Sequence, residues 1–348
     1  MRLIENLDAP QGDAKSADAA EGHPVSEYQF RAGGQVLSLF STALHGMVLK
    51  ALAEGPMRLT DLRKRVGGPP QTTLRGHLGN LIGMGALEKR SRDGQPNMVD
   101  NALTPIGMDM LFVSETLETW LARNPEEALD LESAAGKGAI KALIGGWNSN
   151  MLRALAARPF SLTELDNLIT AFTYPALERR LSAMSLAGQV AAVHGAEKGT
   201  PYAVTKWLRQ GMAPLIAAAR CEQRHLAAET APLARIDLEA MLLLTAPLVE
   251  PPAGLEGSCQ LTVTGDEEGR WRSAGVTIAV RDGRVVSLSS KVEPEAPSSA
   301  LGSAIAWFDA IIEGELAGLT ISGDRELAEA LVCGLNRELF LASPRALA

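Results

Sequence analysis

The chain has 348 residues, of which 46% are hydrophobic but only 4% aromatic, and a formal net charge of −8. That length exceeds one compact core and predicts two or three domains, with interiors resting on Leu, Ala, Val, Ile and Met. Cys221, Cys259 and Cys333 are scattered without a CxxC pattern, which argues against a disulfide framework or a cysteine zinc site, and no apolar run reaches the ~20 residues of a membrane span.

Residues 1–27 carry 2 basic and 6 acidic side chains and no core-forming pattern, so a disordered tail is expected there. Met1–Leu7 lack the basic stretch and apolar stretch of a secretory leader, and the expected location is cytoplasmic. Residues 28–228 hold 22 basic against 17 acidic side chains, whereas residues 229–348 hold 9 against 18. This asymmetry reverses the first impression of an acidic protein. A basic segment joined to an acidic one fits a nucleic-acid-contacting part and a part that avoids it. The basic charge is densest over residues 58–93, with Arg58, Arg63, Lys64, Arg65, Arg75, Lys89, Arg90 and Arg92.

Helical periodicity begins at about Val36 and predicts a helix to Ala53. After Pro56, a short helix opens with Thr60 as its expected cap. The turn Gly67-Gly68-Pro69 leads to a helix with Pro70 in its first turn, whose Leu74, Leu78 and Leu81 share one face. Gly85 ends it, and a hairpin runs from Leu87 through Asp93-Gly94 to Leu103. A linking stretch follows, Met108–Arg123 and then 124–136, in which Leu111, Phe112, Leu117, Trp120 and Leu121 have helical spacing.

The same order then recurs. Leu49-Lys50-Ala51-Leu52 is echoed by Leu152-Arg153-Ala154-Leu155, 103 residues on. At that offset Pro56 falls on Pro159, Leu59-Thr60 on Leu162-Thr163, Leu74 on Leu177, Leu78 on Leu181, Leu81 on Met184 and Gly85 on Gly188. A helix over about Ile140–Ala157 precedes this run. Ser161 and Glu164 have capping-box spacing, and Pro175 sits in the first turn of the matching helix. A second hairpin is expected over residues 190–204, turning near Gly195–Gly199.

Three helices closed by a hairpin make a winged helix-turn-helix, whose third helix enters the major groove while the wing touches the backbone. With Leu74, Leu78 and Leu81 inside, the first such helix offers Gln71, Thr72, Thr73, Arg75 and His77. Gln pairs with adenine and Arg with guanine, and Thr suits phosphate or the thymine methyl. Lys89, Arg90 and Arg92 belong to its wing. The second copy offers Tyr174, Arg179 and Arg180, with Glu178 where the first has Arg75, and Lys198 in its wing. His45 and His77 have no further ligand at metal spacing, so no metal is expected.

These residues resemble the HxlR-type and MarR-like winged-helix regulators. The likeness runs through Trp147, Met151–Leu155, Phe160–Leu165, Leu177–Leu181, Gly188 and Tyr202–Thr205 in the second copy, which carries the pattern best. In the first copy it rests on Leu103-Thr104-Pro105-Ile106-Gly107. The resemblance implies a DNA-binding transcriptional regulator partnered with double-stranded DNA, as a single chain or a homodimer.

Past about Ala231 the pattern changes. Ile236–Leu248 reads as a helix, and Cys259, Leu261 and Val263 alternate with polar neighbours. Val276, Ile278 and Val280 repeat the alternation, and Asp282-Gly283 turns into Val285–Leu288, an antiparallel meander. Helices are expected over about Ser299–Ile312 and Asp324–Phe340. The fold class is thus mainly α with small β hairpins, in two winged helix-turn-helix units, plus a C-terminal α+β domain with an antiparallel sheet. The domains divide at 1–27, 28–124, 125–230 and 231–348.

Gly302–Trp307, Leu319, Gly323-Asp324, Leu327-Ala328, Leu331 and Gly334-Leu335 resemble a sterol-carrier-protein-like domain. That resemblance implies an apolar tunnel, lined here by Val276, Ile278, Trp307, Ile311 and Leu331, for a small apolar effector; a filled core is the alternative. No GxGxxG follows a strand, and neither a P-loop nor a GxSxG elbow occurs. No catalytic residue and no cofactor are expected. The competing reading is an interaction or carrier protein that uses winged helices as scaffold.

Overall fold

A computed structural model describes residues 32–92, 95–146, 149–169, 172–193, 199–226, 233–265, 272–290 and 296–340. The expected tail, 1–27, lies outside them.

The first half begins with α1 (Gly34–Leu39) and α2 (Ala43–Ala53), where the periodicity predicts one helix. The Ser38 hydroxyl donates to the Gln35 carbonyl and the Ser41 hydroxyl to the Ser38 carbonyl, each at 2.7 Å. Such local bonds compete with the helical ladder. The break lets Phe40 enter the core. Then come α3 (Leu59–Arg65), α4 (Gln71–Gly83), β1 (Leu87–Arg92), β2 (Gln95–Leu103) and α5 (Pro105–Ala122). Thr60 does not cap α3; Arg58 occupies that position without a side-chain capping bond.

The second half comprises α6 (Ala134–Gly146), α7 (Ser149–Ala157), β3 (Phe160–Ser161), α8 (Leu162–Leu168), α9 (Tyr174–Leu186), β4 (Val190–Ala192), β5 (Pro201–Val204), α10 (Lys206–Gln210) and α11 (Met212–His225). The helix expected over 140–157 is represented by α6 and α7, and residues 147–148 between them lie outside the described residues. Ser161 and Glu164 form the capping box in both directions. The expected turn at 195–199 falls mostly outside the described residues.

A shift of 103 residues carries both ends of α3 onto α8 and both ends of α4 onto α9. Strand pairing keeps step. Leu87 faces Leu103 as Val190 faces Val204, and Lys89 faces Asn101 as Ala192 faces Tyr202. The lone bridge Met57–Asn101 has its counterpart in Phe160–Tyr202. Gly85 and Gly188 both take φ 72°, a left-handed conformation that lets the chain leave the helix and enter the hairpin. Thr104 and Thr205 each donate to the carbonyl of that glycine and accept from a backbone N–H three residues on. In the first half that N–H belongs to Gly107, where a Cβ would lie 2.2 Å from the Ala86 carbonyl oxygen.

The C-terminal part holds α12 (Arg235–Thr245), β6 (Gly257–Thr264), β7 (Ser273–Arg281), β8 (Arg284–Ser289), β9 (Ser298–Gly302), α13 (Ala304–Glu313), β10 (Thr320–Gly323) and α14 (Arg325–Leu339). Two expectations are corrected. Residues 299–302 form a strand rather than the start of a helix, because Ser298, Ala300 and Gly302 face inward with period two. That strand pairs in parallel with β6, so the five-stranded sheet, ordered β10-β9-β6-β7-β8, is mixed and not purely antiparallel.

Buried charges dock this part onto the second half. Arg220 of α11, itself buried, reaches Glu313 at 2.7 Å and Asp309 at 3.5 Å. Arg153 of α7 lies 3.0 Å from buried Glu239 of α12. Arg209 donates to the last-turn carbonyls of Leu243 and Leu244, satisfying acceptors that the helix leaves open. Burial brings the Arg209 guanidinium down to about 10.

Candidate nucleic-acid interface

Helix α4 is held by one face. Leu74, Leu78 and Leu81 are buried, while Gln71, Thr72, Thr73, Arg75, Gly76 and Asn80 are exposed. Removing one buried leucine would cost about 2–5 kcal/mol, so the outward face is firmly aimed. That face is low, because a Cβ on Gly76, Gly79 or Gly83 would meet no protein atom within 4 Å. Arg75 makes no ion pair among the described residues.

His77 departs from the expectation of an open-face residue. It is half-buried, and its Nδ1 lies 3.0 Å from Nε2 of buried His45. His45 Nδ1 lies 2.7 Å from the Leu39 carbonyl, which can only accept, so that nitrogen carries the proton. In neutral His45 the Nε2 then accepts, and His77 donates. The two rings meet edge to face, 4.7 Å apart. Burial holds His45 below the usual histidine range, and the His77 ring adds to this, against the Leu39 carbonyl, which raises it. The pair fixes α4 to α2 and leaves His77 a positioning role. Among the described residues, no three His, Cys, Asp or Glu side chains cluster as metal ligands.

Basic side chains border α4. Lys89 and Arg90 of β1 are exposed, and Arg90 reaches back to Glu88 at 2.6 Å. The Arg92 side chain lies outside the described residues. Arg63, Lys64 and Arg65 of α3 are exposed as well; Arg63 donates to the Pro69 carbonyl at 2.7 Å, and Arg65 pairs with Glu54. In the sequence these three count towards the charge of the segment without being assigned to the interface. The signal that points to them is a run of three cations ending the helix before the turn.

In the second half Leu177, Leu181 and Met184 are buried. Tyr174, Glu178 and Arg179 are exposed. Arg180 is half-buried, with its guanidinium 4.2 Å over the Phe172 ring, so it is less open than expected. Leu186, at the end of α9, is 91% exposed. Lys198 lies outside the described residues, as does Trp147.

The five residues expected to line a tunnel are all buried. Trp307 and Ile311 border a cavity of about 20 Å³, together with Ile216, Leu238, Met241 and Phe308. That is room for about one water. Val276, Ile278 and Leu331 do not border it and sit in packed core. The Trp307 indole donates to the Thr262 carbonyl at 2.8 Å, which closes α13 onto β6.

Residues 41–128 match the family model described as HxlR-like helix-turn-helix. Over 83 residues, 24% of this chain, the sequence is 32% identical to the "Uncharacterized HTH-type transcriptional regulator YtfH" of Escherichia coli (strain K12), and equally to the protein of that name from Shigella flexneri. The match spans 66% of each of those relatives. The chain therefore contains an HxlR-like helix-turn-helix domain in its first half. The motifs alone place the stronger likeness in the second half. The family match falls on the first, where Thr104-Pro105-Ile106-Gly107 and the basic α3, α4 and β1 lie. No described helix is long and apolar enough to cross a membrane.

Proposed function

We propose that this chain is a sequence-specific, DNA-binding transcriptional regulator of the cytoplasm, built from two tandem winged helix-turn-helix units and a non-catalytic C-terminal domain. The carrying observation is the outward face of α4. It presents Gln71, Thr72 and Arg75 on a helix fixed from behind by three leucines, between exposed cations of α3 and β1, inside the segment that matches the HxlR-like family. Arg and Gln supply base-edge donors, and Lys89, Arg90 and Arg63–Arg65 supply phosphate charge. The second unit is inferred from the repeated elements and pairing register. The relatives' name, an HTH-type transcriptional regulator, agrees with the reading.

For the C-terminal domain, with its mixed sheet under helices, a sterol-carrier-like plan remains part of the proposal. Its filled core and a cavity of about 20 Å³ favour a role in assembly over carriage of an apolar effector. The test is selection of bound fragments from a genomic DNA pool by the full chain, followed by gel shifts at two salt concentrations. Enriched sites bound more tightly than scrambled ones, with affinity falling as salt rises, support the proposal. Affinity indifferent to both salt and sequence would mean a protein-binding scaffold instead.

A further inference from the structure

Because α3 overlays α8 and α4 overlays α9 in sequence register, and the first hairpin strands start in step, each surface residue of α3, of α4 and of residues 87–90 has a defined counterpart in the second half. The counterparts of Arg63, Lys64 and Arg65 are Asp166, Asn167 and Leu168. Arg75 becomes Glu178. Lys89 and Arg90 become Ala192, in a strand with the same pairing register, and Val193, one residue past its end. At these six positions the first half carries six cations, and the second carries two carboxylates and no cation.

Other changes run the same way. Gln71 and Gly83 are replaced by Tyr174 and by Leu186, the most exposed large apolar side chain among the described residues. The second half has Arg179 and Arg180 where the first has Gly76 and His77. Arg180 is stacked on Phe172, and Arg158 stacks on Phe160 and pairs with Glu164 at 3.1 Å. Only Arg179 remains as a wholly exposed cation on α9, beside Glu178.

We propose that phosphate binding is confined to the first half, through Arg63, Lys64, Arg65, Lys89 and Arg90, so that one chain covers a single half-site while its second half serves as a permanent packing partner. This rests on the reading of the chain as DNA-binding. Affinity for a duplex comes largely from phosphates neutralised by cations, and each one neutralised adds about 0.9 to the slope of log affinity against log salt. A face bearing Asp166 and Glu178, with Leu168, Leu186 and Val193 bare, gains nothing from that source and meets repulsion. What the second half does supply is cover. Its α11 packs along α5, and Trp207 stacks on Trp120.

The test uses the full chain and one enriched duplex, with affinity measured across salt for the wild type, the triple variant R63Q/K64Q/R65Q and the double variant R179Q/R180Q. All three α3 side chains are exposed, so the triple variant should fold, and its thermal midpoint checks this. For the triple variant the expected slope is shallower by about 0.9 for each phosphate left without its cation, two to three in total. For the double variant the slope should be unchanged. Equal flattening by both variants, or flattening by the double variant alone, overturns the assignment while leaving the chain DNA-binding. A wild type without salt-dependent binding to any duplex overturns both.

Discussion

Trp120, near the end of α5, and Trp207, in α10, stack with ring centroids 4.6 Å apart and planes 13° from parallel, and each indole N–H donates to the other's backbone carbonyl at 2.9 Å. Both rings are buried, so neither donor has water as an alternative partner. The arrangement is reciprocal, like a contact across a two-fold axis, yet both residues belong to one chain. It clamps the last helix of the first half to the start of the last helices of the second.

Replacing either indole by alanine should cost about 3–5 kcal/mol, as for other large buried rings. Trp120→Phe and Trp207→Phe are more informative, since each keeps a ring and removes one indole donor, leaving the facing carbonyl with only its backbone partner, the N–H of Gly211 or of Arg123. A double-mutant cycle by urea unfolding should give a coupling of about 0.5–1.5 kcal/mol for the pair. Additive effects would mean that the halves are not coupled through this contact.

A second docking contact carries its own pH dependence. Glu239 is buried between Arg153 at 3.0 Å and the more exposed Arg235 at 3.6 Å. Burial raises its carboxyl above the usual range despite both cations. Arg153→Ala leaves the carboxylate with its weaker partner, and removing one member of a buried pair costs about 3–5 kcal/mol. A carboxyl raised in the folded state is favoured there when protonated. The penalty of the variant should therefore shrink as pH falls through the raised value. Urea melts of wild type and variant at pH 7 and pH 5 check this, and a gap that widens at pH 5 would contradict it.

How much of this is legible in the sequence follows from the kind of signal each element leaves. The leucine spacing of α4 and α9, the glycines after them and the repeat offset are local patterns, and all mark elements that form where expected. The break between α1 and α2 escapes the periodicity because Ser38 and Ser41 act through hydrogen bonds to the backbone, which leave the apolar period intact. Strand β9 escapes it because Ser298-Ser299-Ala300 has little intrinsic strand preference and is placed by its parallel partner β6. On the interface, the exposed positions of α4 can be read from its period. The engagement of His77 cannot, since its partner His45 lies 32 residues away on another helix.

That histidine pair predicts a response to acid. His45 is held below its ordinary value of about 6.5, chiefly by burial, so the folded protein favours the neutral ring. For a depressed group of this kind, the stabilisation is complete above pH 6.5 and is lost as pH falls through the lower folded value. Protonation would also remove the acceptor that Nε2 offers to His77, taking away one of the ties between α4 and α2. The thermal midpoint of the wild type should drop more steeply between pH 7 and pH 5 than that of His45→Gln. Parallel curves would show that His45 is not the group responsible.

Arg75 separates base reading from charge. It is the one Lys or Arg on α4, with glycines at 76 and 79 and no ion-pair partner among the described residues. An arginine bidentate to guanine contributes about 1–3 kcal/mol against the wrong base, whereas a phosphate contact contributes equally on every sequence. Arg75→Ala should thus weaken binding to an enriched site by about 1–3 kcal/mol, roughly five- to 150-fold, and weaken binding to a scrambled duplex much less. Arg75→Lys keeps the charge but not the planar fork, and should not restore discrimination. Competition gel shifts with both duplexes measure the two effects separately. Equal losses on both, rescued by lysine, would make Arg75 a phosphate contact and move base reading to Gln71 and Thr72.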